Sequence, residues 1–452
     1  MTECNETVFP FAPHFSRQVV ARFNGGAITS DGGALLLRET DARLKLVSRL
    51  AGCFEDRRNP WYTKHSVQEL LVQRIYGLAL GYEDLNDHDQ LRADPLLAVL
   101  AGKEEAGQEP LAGKSTLNRL ELSTEQPDRY KKISYRAESI DELLVQVFIE
   151  AQDQPPKCLV LDLDTTDLPL HGHQEGRFFH GYYNSYCYLP LYIFCGEHLL
   201  CARLRTADQD AAAGSRAEVE RIVGQLRQAW PEVRIIVRAD SGFCRDELMT
   251  WCEANGVDYV LGFARNSRLR KMIEPEMVTA ALLEAETGKP ARLFTEFRYQ
   301  TTTGSWSRER RVVAKAEHLA DKENPRFVVT SLGGEEWPGQ KLYEELYCER
   351  GEMENRIKEQ LSLFNDRVST EHLRSNQLRV YLSAMAYVLV QGLRRLGLKG
   401  TEWAHAQVGT IRLRLLKIGA QIRITVRKVW ISLASGFPWQ AMFARVWANL
   451  RC

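Results

Sequence analysis

The chain has 452 residues, enough for two or three domains, and its 44% hydrophobic and 26% charged content excludes a disordered or membrane-embedded class. Ten cysteines are scattered with no CxxC and no close Cys/His pairing, which argues against a disulfide framework and a structural zinc site and fits a reducing cytoplasm. Formal net charge is zero, so a nucleic-acid partner has to be sought in the distribution of charge rather than in its sum.

No basic start followed by an apolar core opens the sequence, so no secretory signal is expected. Residues 1–25 lack periodicity and read as an arm. From about 30 to 150 the pattern is helical. In "SVQELLVQRIYGLALGYED" Ser66 and Glu69 form a capping-box pair, apolar residues recur at helical spacing, and Gly81 is a stop signal. "STLNRLELS" at 115–123 predicts a shorter helix. Pro155-Pro156 marks a change of style.

Beyond that boundary "CLVLDLDTTDLPL" is apolar and strand-like yet holds Asp162, Asp164 and Asp167. With period two, Cys158, Val160, Asp162 and Asp164 share one face, and Leu159, Leu161 and Leu163 the other. Such carboxylates either sit in a solvated turn or hold a metal at the end of a buried strand. Strand-like runs follow at 181–196 and 198–206, then a helix at about 214–230, the strand "VRIIVRAD", a helix from Arg245 and the strand "DYVLGFAR". This is an α/β order that begins with an antiparallel meander. Residues 267–335 look β-rich and have the character of an insertion. A long helix is expected from about 340 to 363.

Asp240 ends an apolar strand ahead of a Ser241-Gly242 turn, either as a helix cap or as a strand-end ligand. On the following helix Tyr347, Arg350, Glu354 and Lys358 fall at i, i+3, i+7 and i+11, within roughly 80° of one face. Alone this is a solvated stripe. With the two strand-end aspartates it becomes a metal and phosphate site, in which carboxylates bind hard cations, Arg350 and Lys358 bind phosphate oxygens, and Tyr347 joins them as a DNA-binding candidate.

The Asp164-Thr165 pair, Asp240-Ser-Gly242-Phe243 and Tyr347-x2-Arg350-x3-Glu354 together resemble the DDE transposases of bacterial insertion sequences, in the IS4-like group. The fuller pattern "HGHQEG…GYYNSYCYLPL…RADSGF…ENRIKE" resembles the IS1380 family. The resemblance runs from about residue 25 to 440. It implies an α/β, RNase H-like catalytic core with a β-rich insertion between the second and third acids. Asp164, Asp240 and Glu354 would be the catalytic, metal-binding acids for two Mg²⁺ ions, with Mn²⁺ as a substitute. Asp162 is the reserve candidate for the first acid. The family pattern expects a Lys seven residues after the Glu; Leu361 stands there, and Lys358 is the candidate for that role.

The tail completes the reading. From Arg367 onward 14 Lys/Arg face only Glu371 and Glu402, so this region carries about +12 and the remainder about −12. "YLSAMAYVLVQGL" at 381–393 is too short to span a bilayer and reads as a buried helix. "TIRLRLLKIGAQIRITVRKVWISL" at 410–433 alternates like a hairpin about Gly419-Ala420, with Arg412, Arg414, Arg423 and Arg427 on a cationic face suited to DNA phosphates. His171 and His173 read as part of a glycine-punctuated turn. Trp306 is open to two readings, base stacking or core packing.

The expected organisation is a mainly helical region over 1–150, a candidate for DNA end binding; a catalytic domain over 151–366 with its insertion at about 267–335; and a basic helix-plus-hairpin region over 367–452 for DNA binding or oligomerisation. The expected function is that of an insertion-sequence transposase. It would cleave phosphodiesters at double-stranded transposon ends and join them to target DNA, as a homo-oligomer on DNA in the bacterial cytoplasm, associated with the nucleoid. The alternatives are an inactive or domesticated transposase that only binds DNA, and an RNase H-like nuclease without strand transfer.

Overall fold

The computed structural model describes residues 8–103, 109–302, 304–320 and 322–451. The chain divides into two compact units, one of residues 135–384 and one that combines the chain up to Ser134 with the chain from Met385 on.

In the 135–384 unit, α1 (Ala137–Glu150) leads into β1 (Cys158–Thr165), β2 (Leu191–Cys195), β3 (His198–Arg203), α2 (Ser215–Ala229), β4 (Arg234–Ala239), α3 (Asp246–Ala254) and β5 (Asp258–Phe263). After α4 (Glu274–Thr287) come β6 (Ala291–Tyr299), β7 (Arg310–Leu319) and β8 (Arg326–Thr330). These strands form one mixed sheet in the order β3-β2-β1-β4-β5-β8-β7-β6, with Lys322–Glu323 paired on β7. β1, β4 and β5 are parallel, and the strands on either side of that trio are antiparallel.

Both faces of the central strands are buried, which is why they read as near-continuous apolar runs. Leu159, Leu161 and Leu163 join Ile235, Val237 and Ala239 in the larger core, with Val219 and Ile222 of α2 and Leu248 and Met249 of α3. Val160, Ile236, Val260 and Val328 line the other face against Leu342, Tyr343 and Leu346. The period-two reading of 158–164 therefore assigns its two faces as found: leucines to one core, aspartates toward the segment that follows residue 339.

Three expected elements differ from what forms. The stretch 181–196 is two strands, Ser185–Tyr188 and β2, parted at Leu189-Pro190, because proline has no N–H to give a ladder. The first third of 267–335 is helical: Pro275 and two glutamates favour the first turn of α4, and Gly288 ends it at φ +64°. The remaining strands of that segment extend the main sheet. The helix expected over 340–363 is broken into Gly339–Lys341, a widened π turn over Leu342–Tyr347, a tight turn at Cys348–Arg350, and α5 (Gly351–Leu361).

In the other unit, the Val67–Leu80 helix carries the predicted capping box. The Ser66 hydroxyl accepts from the Glu69 N–H at 3.1 Å and the Glu69 carboxylate from the Ser66 N–H at 2.6 Å. Gly81 closes the helix at φ +97°, a conformation open to glycine. Within the arm expected over 1–25, of which residues 1–7 lie outside the described residues, Phe9–His14 and Arg17–Ala21 pair as an exposed hairpin. The 410–433 stretch differs most. Residues 408–416 are helical, and the hairpin is Ala420–Ile424 with Val429–Leu433, turning at 425–428 rather than at 419–420. Val408, Ile411, Leu415 and Leu416 are buried, so a helical period wins over the alternation that the same residues also satisfy.

The apolar run 381–393 lies within the Leu373–Gly397 helix and is mostly buried. Among the described residues no helix is long and apolar enough to cross a membrane, and no disulfide joins the described cysteines.

Candidate active site

The two aspartates reach one place through sheet register. β1 and β4 pair in parallel with Asp162 opposite Arg238 and Leu163 opposite Ala239, so Asp164 and Asp240 leave the two strands side by side on the same face. Each strand thus ends on a polar pair spaced by two, Asp-x-Asp on β1 and Arg-x-Asp on β4. The inner pair closes on itself. Arg238 grips Asp162 with two parallel N–H···O bonds, one of 2.8 Å, and both side chains are buried. Burial works against the Arg238 charge, but Asp162 outweighs it and holds the guanidinium above its ordinary pKa. The third Arg238 nitrogen donates to the Leu346 carbonyl. The Leu346 carbonyl lies where the widened turn over Leu342–Tyr347 gives way to the tight turn at Cys348–Arg350, and the guanidinium takes the place of a helical N–H there.

The outer pair stays open. One Asp164 oxygen accepts the Thr165 N–H at 2.8 Å and the other meets Arg350 at 3.2 Å. Arg350 also reaches Glu354 at 3.3 Å, one turn on. Asp240 spends one oxygen on the Gly242 N–H at 2.8 Å, capping the turn that begins α3's approach. Asp164 is 14% exposed and Glu354 53%. Burial, then the charges of Asp240 and Glu354, push Asp164 up to about 6 against the pull of the Thr165 N–H and Arg350. Three carboxylates thus converge electrostatically on a single guanidinium, whose own pKa they raise against the effect of burial.

Tyr347 packs beneath this group. A Cβ at Gly262 on β5 would lie 2.5 Å from the Tyr347 hydroxyl and 2.8 Å from the Ser241 nitrogen, so only glycine lets the phenol lie against β5 beside the Asp240–Ser241 peptide. Gly262 and Arg238 went unnoticed in the sequence. The signal for Arg238 was present as a basic residue inside an apolar strand, two before an acid. Gly262 carries no signal beyond a glycine in a strand.

The remaining candidates lie elsewhere. Lys358 is on α5, exposed, with no ion pair among the described residues. Arg412 is not on the hairpin: its guanidinium donates to the Ala79 and Leu78 carbonyls at 2.9 and 3.3 Å, finishing the Val67–Leu80 helix. Arg414 is exposed beside the Trp439 ring. Only Arg423 and Arg427 belong to the hairpin, and both are exposed. His171 and His173 are exposed in a glycine-bounded turn. Trp306 is 4% exposed and packed on Phe263 and Tyr299, so the packing reading holds and the stacking one does not.

Among the described residues no three His, Cys, Asp or Glu side chains are close enough together to form a metal cage. The donor chemistry nevertheless fits a hard divalent cation. The set is all oxygen, it outnumbers its one cationic partner three to one, and burial leaves Asp164 under-neutralised.

Fold and site define a mixed α/β protein with acidic residues from two neighbouring strand ends and a helix, grouped about an arginine. The family model described as Transposase DDE domain group 1 matches residues 11–452, and the chain belongs to that family. No curated relative matches the sequence. Among solved structures, the chain is similar to a piggyBac transposase in a cryo-EM synaptic complex with hairpin DNA, at 11% identity and a TM-score of 0.40 over 86% of this chain and 80% of that one.

Proposed function

We propose that the protein is an insertion-sequence transposase of the IS1380, IS4-like type, an endonuclease that cleaves phosphodiesters at transposon ends and joins them to target DNA. The observation that carries this reading is the meeting of Asp164, Asp240 and Glu354 about Arg350, inside a chain of the DDE transposase family. The strand order β3-β2-β1-β4-β5, with the acids at the ends of β1 and β4, supports an RNase H-like core. β6 to β8 would be its insertion, and the regions over 1–150 and 367–452 would bind DNA ends or a second protomer.

Asp164, Asp240 and Glu354 would hold Mg²⁺, two ions by the family's chemistry, with Mn²⁺ as a substitute. Bound there, the metal supplies Lewis acidity for in-line attack by water or a 3′-hydroxyl on the phosphodiester. Arg350, which pairs with Asp164 and Glu354 here, would donate to the phosphate oxygens of DNA held at the acids. Tyr347 holds the floor under Asp240. Lys358, exposed one turn beyond Glu354, and Arg414, Arg423 and Arg427 contact the DNA backbone. The working form is a homo-oligomer on double-stranded DNA, in the bacterial cytoplasm at the nucleoid.

The test uses the purified full chain on labelled DNA carrying its own element's ends, with Mg²⁺ or with EDTA. Metal-dependent nicking is expected, falling at least about a hundredfold in Asp240→Asn while folding and end binding persist. Undiminished nicking in the variant would remove Asp240 from the chemistry. End binding without cutting by the native chain would favour a protein that only binds DNA, and cutting without joined products a nuclease.

A further inference from the structure

Residues 177–188 form a small hairpin of aromatic rings. Phe178–His180 pairs with Ser185–Tyr188 across a four-residue turn, in which Asn184 takes a left-handed conformation at φ +52°. Phe178, Phe179 and Tyr186 are each nearly half exposed, and Tyr182 at the tip is 86% exposed. Successive strand residues face opposite ways, so Phe178 and Phe179 place apolar rings on both sides of the hairpin. A contiguous exposed cluster of this kind marks a contact surface, unlike scattered single residues.

Its position is tied to the acids. Ser185–Tyr188 also pairs with Leu168–Pro169, the chain just beyond Asp164 and Thr165. Tyr183 and Ala211 both pack on the cluster of Cys187, Leu189 and Ala207, and a Cβ at Gly242 would meet Ala211 at 3.4 Å, next to Asp240. Burial, followed by the charges of Asp167 and Asp164, pushes the Tyr183 phenol up to about 12. The aromatic tip therefore stands beside the carboxylate group.

Charge decides the occupant. No acidic residue occurs between Glu175 and Glu197, although the chain holds 59, and Arg177 lies over the Tyr186 ring at 4.7 Å. Apolar rings on a hairpin that brings no carboxylate of its own, joined to a cation, suit a polyanion that also offers flat faces. Resting on the transposase reading, we infer that the 177–188 hairpin stacks unpaired nucleobases of the DNA strand whose phosphate lies at the carboxylates, with Tyr182 and Phe179 as the stacking rings.

Anisotropy measured in EDTA, with a dye-labelled oligothymidine and an abasic oligomer of the same length, separates base stacking from phosphate attraction. The native chain should prefer oligothymidine. Tyr182→Ala and Phe179→Ala should each weaken that binding by about tenfold and leave the abasic oligomer unaffected, whereas Tyr182→Trp should retain it. Unchanged affinity in the alanine variants, or equal losses on both oligomers, overturns the inference. So does a native chain without base preference. Conversion of a self-associated species to monomer by Tyr182→Ala, read by sedimentation, would give the surface to a second copy of this chain and also overturn it. Because EDTA removes the chemistry, the two readings fail separately: a native chain that nicks ends without base preference sinks only the stacking, and base preference without nicking sinks only the cleavage.

Discussion

The middle and the end of β1 carry the same side chain on the same face, two residues apart, and treat it oppositely. Asp162 is closed off: Arg238, opposite it in register, satisfies both its oxygens. Asp164 shares one arginine with Glu354 and lies in the field of Asp240. Burial raises the pKa of both carboxyls, but Asp162 is held back by Arg238, whereas Asp164 climbs to about 6. A buried charge that is fully paired can do little besides hold the fold, and one left in deficit stores a demand for positive charge. The lesson is that neutralisation, rather than burial or position, separates the closed acid from the open one that we propose for the chemistry.

Arg238→Ala should break the closed side of the comparison most severely. It strands the Asp162 carboxylate under the sheet and frees the Leu346 carbonyl. Removal of one partner of a buried pair costs about 3–5 kcal/mol. The variant should lose that stability in urea titration, and Asp162→Asn should recover part of it in the double variant by removing the stranded charge. A loss under 1 kcal/mol, as for an exposed pair, would mean that Asp162 is solvated and that the two acids do not differ in kind.

Asp164→Asn should act in the opposite direction. The Asp164 pKa of about 6 in the folded chain lies above its ordinary 3.8, so the folded chain keeps a proton between those values that the unfolded chain has lost. That contribution is complete below pH 4 and is lost as pH rises through 6, where the ionised group becomes a burden. At pH 8 in EDTA the isosteric Asn should therefore raise stability, by about 2–3 kcal/mol at most, with the gain vanishing below pH 4. Mg²⁺ should then stabilise the native chain at pH 8 and leave the variant unmoved. A variant less stable than the native chain at pH 8 would show Asp164 to be as fully paired as Asp162.

Much of this contrast was visible in the sequence. Period-two alternation sorted residues 158–164 onto their two faces, and the spacing of Tyr347, Arg350 and Glu354 marked one helical stripe. What the sequence did not disclose was pairwise. The register that sets Arg238 against Asp162 is a property of two strands 70-odd residues apart, and nothing local to either strand fixes it. The same arginine also occupies the Leu346 carbonyl ahead of α5, a contact made across the fold that no local pattern announces. The basic stretch at 410–433 failed for a different reason: "IRLRLLKI" satisfies both a strand and a helix period, and only burial of Ile411, Leu415 and Leu416 decides between them.

Gly262→Ala sharpens the open side with the smallest expected change. The added methyl meets the Tyr347 hydroxyl at 2.5 Å and the Ser241 backbone nitrogen at 2.8 Å. The phenol can swing away; the backbone that carries Asp240 cannot move without shifting the acid. Overpacking of this size costs about 1–3 kcal/mol. Tyr347→Phe in the same chain removes the nearer atom and should return part of that stability, leaving the clash with Ser241. If nicking recovers along with stability, Gly262 serves only to seat the phenol. If stability returns and nicking does not, the remaining contact has displaced Asp240, and the open pair depends on the absence of one carbon atom on the adjoining strand.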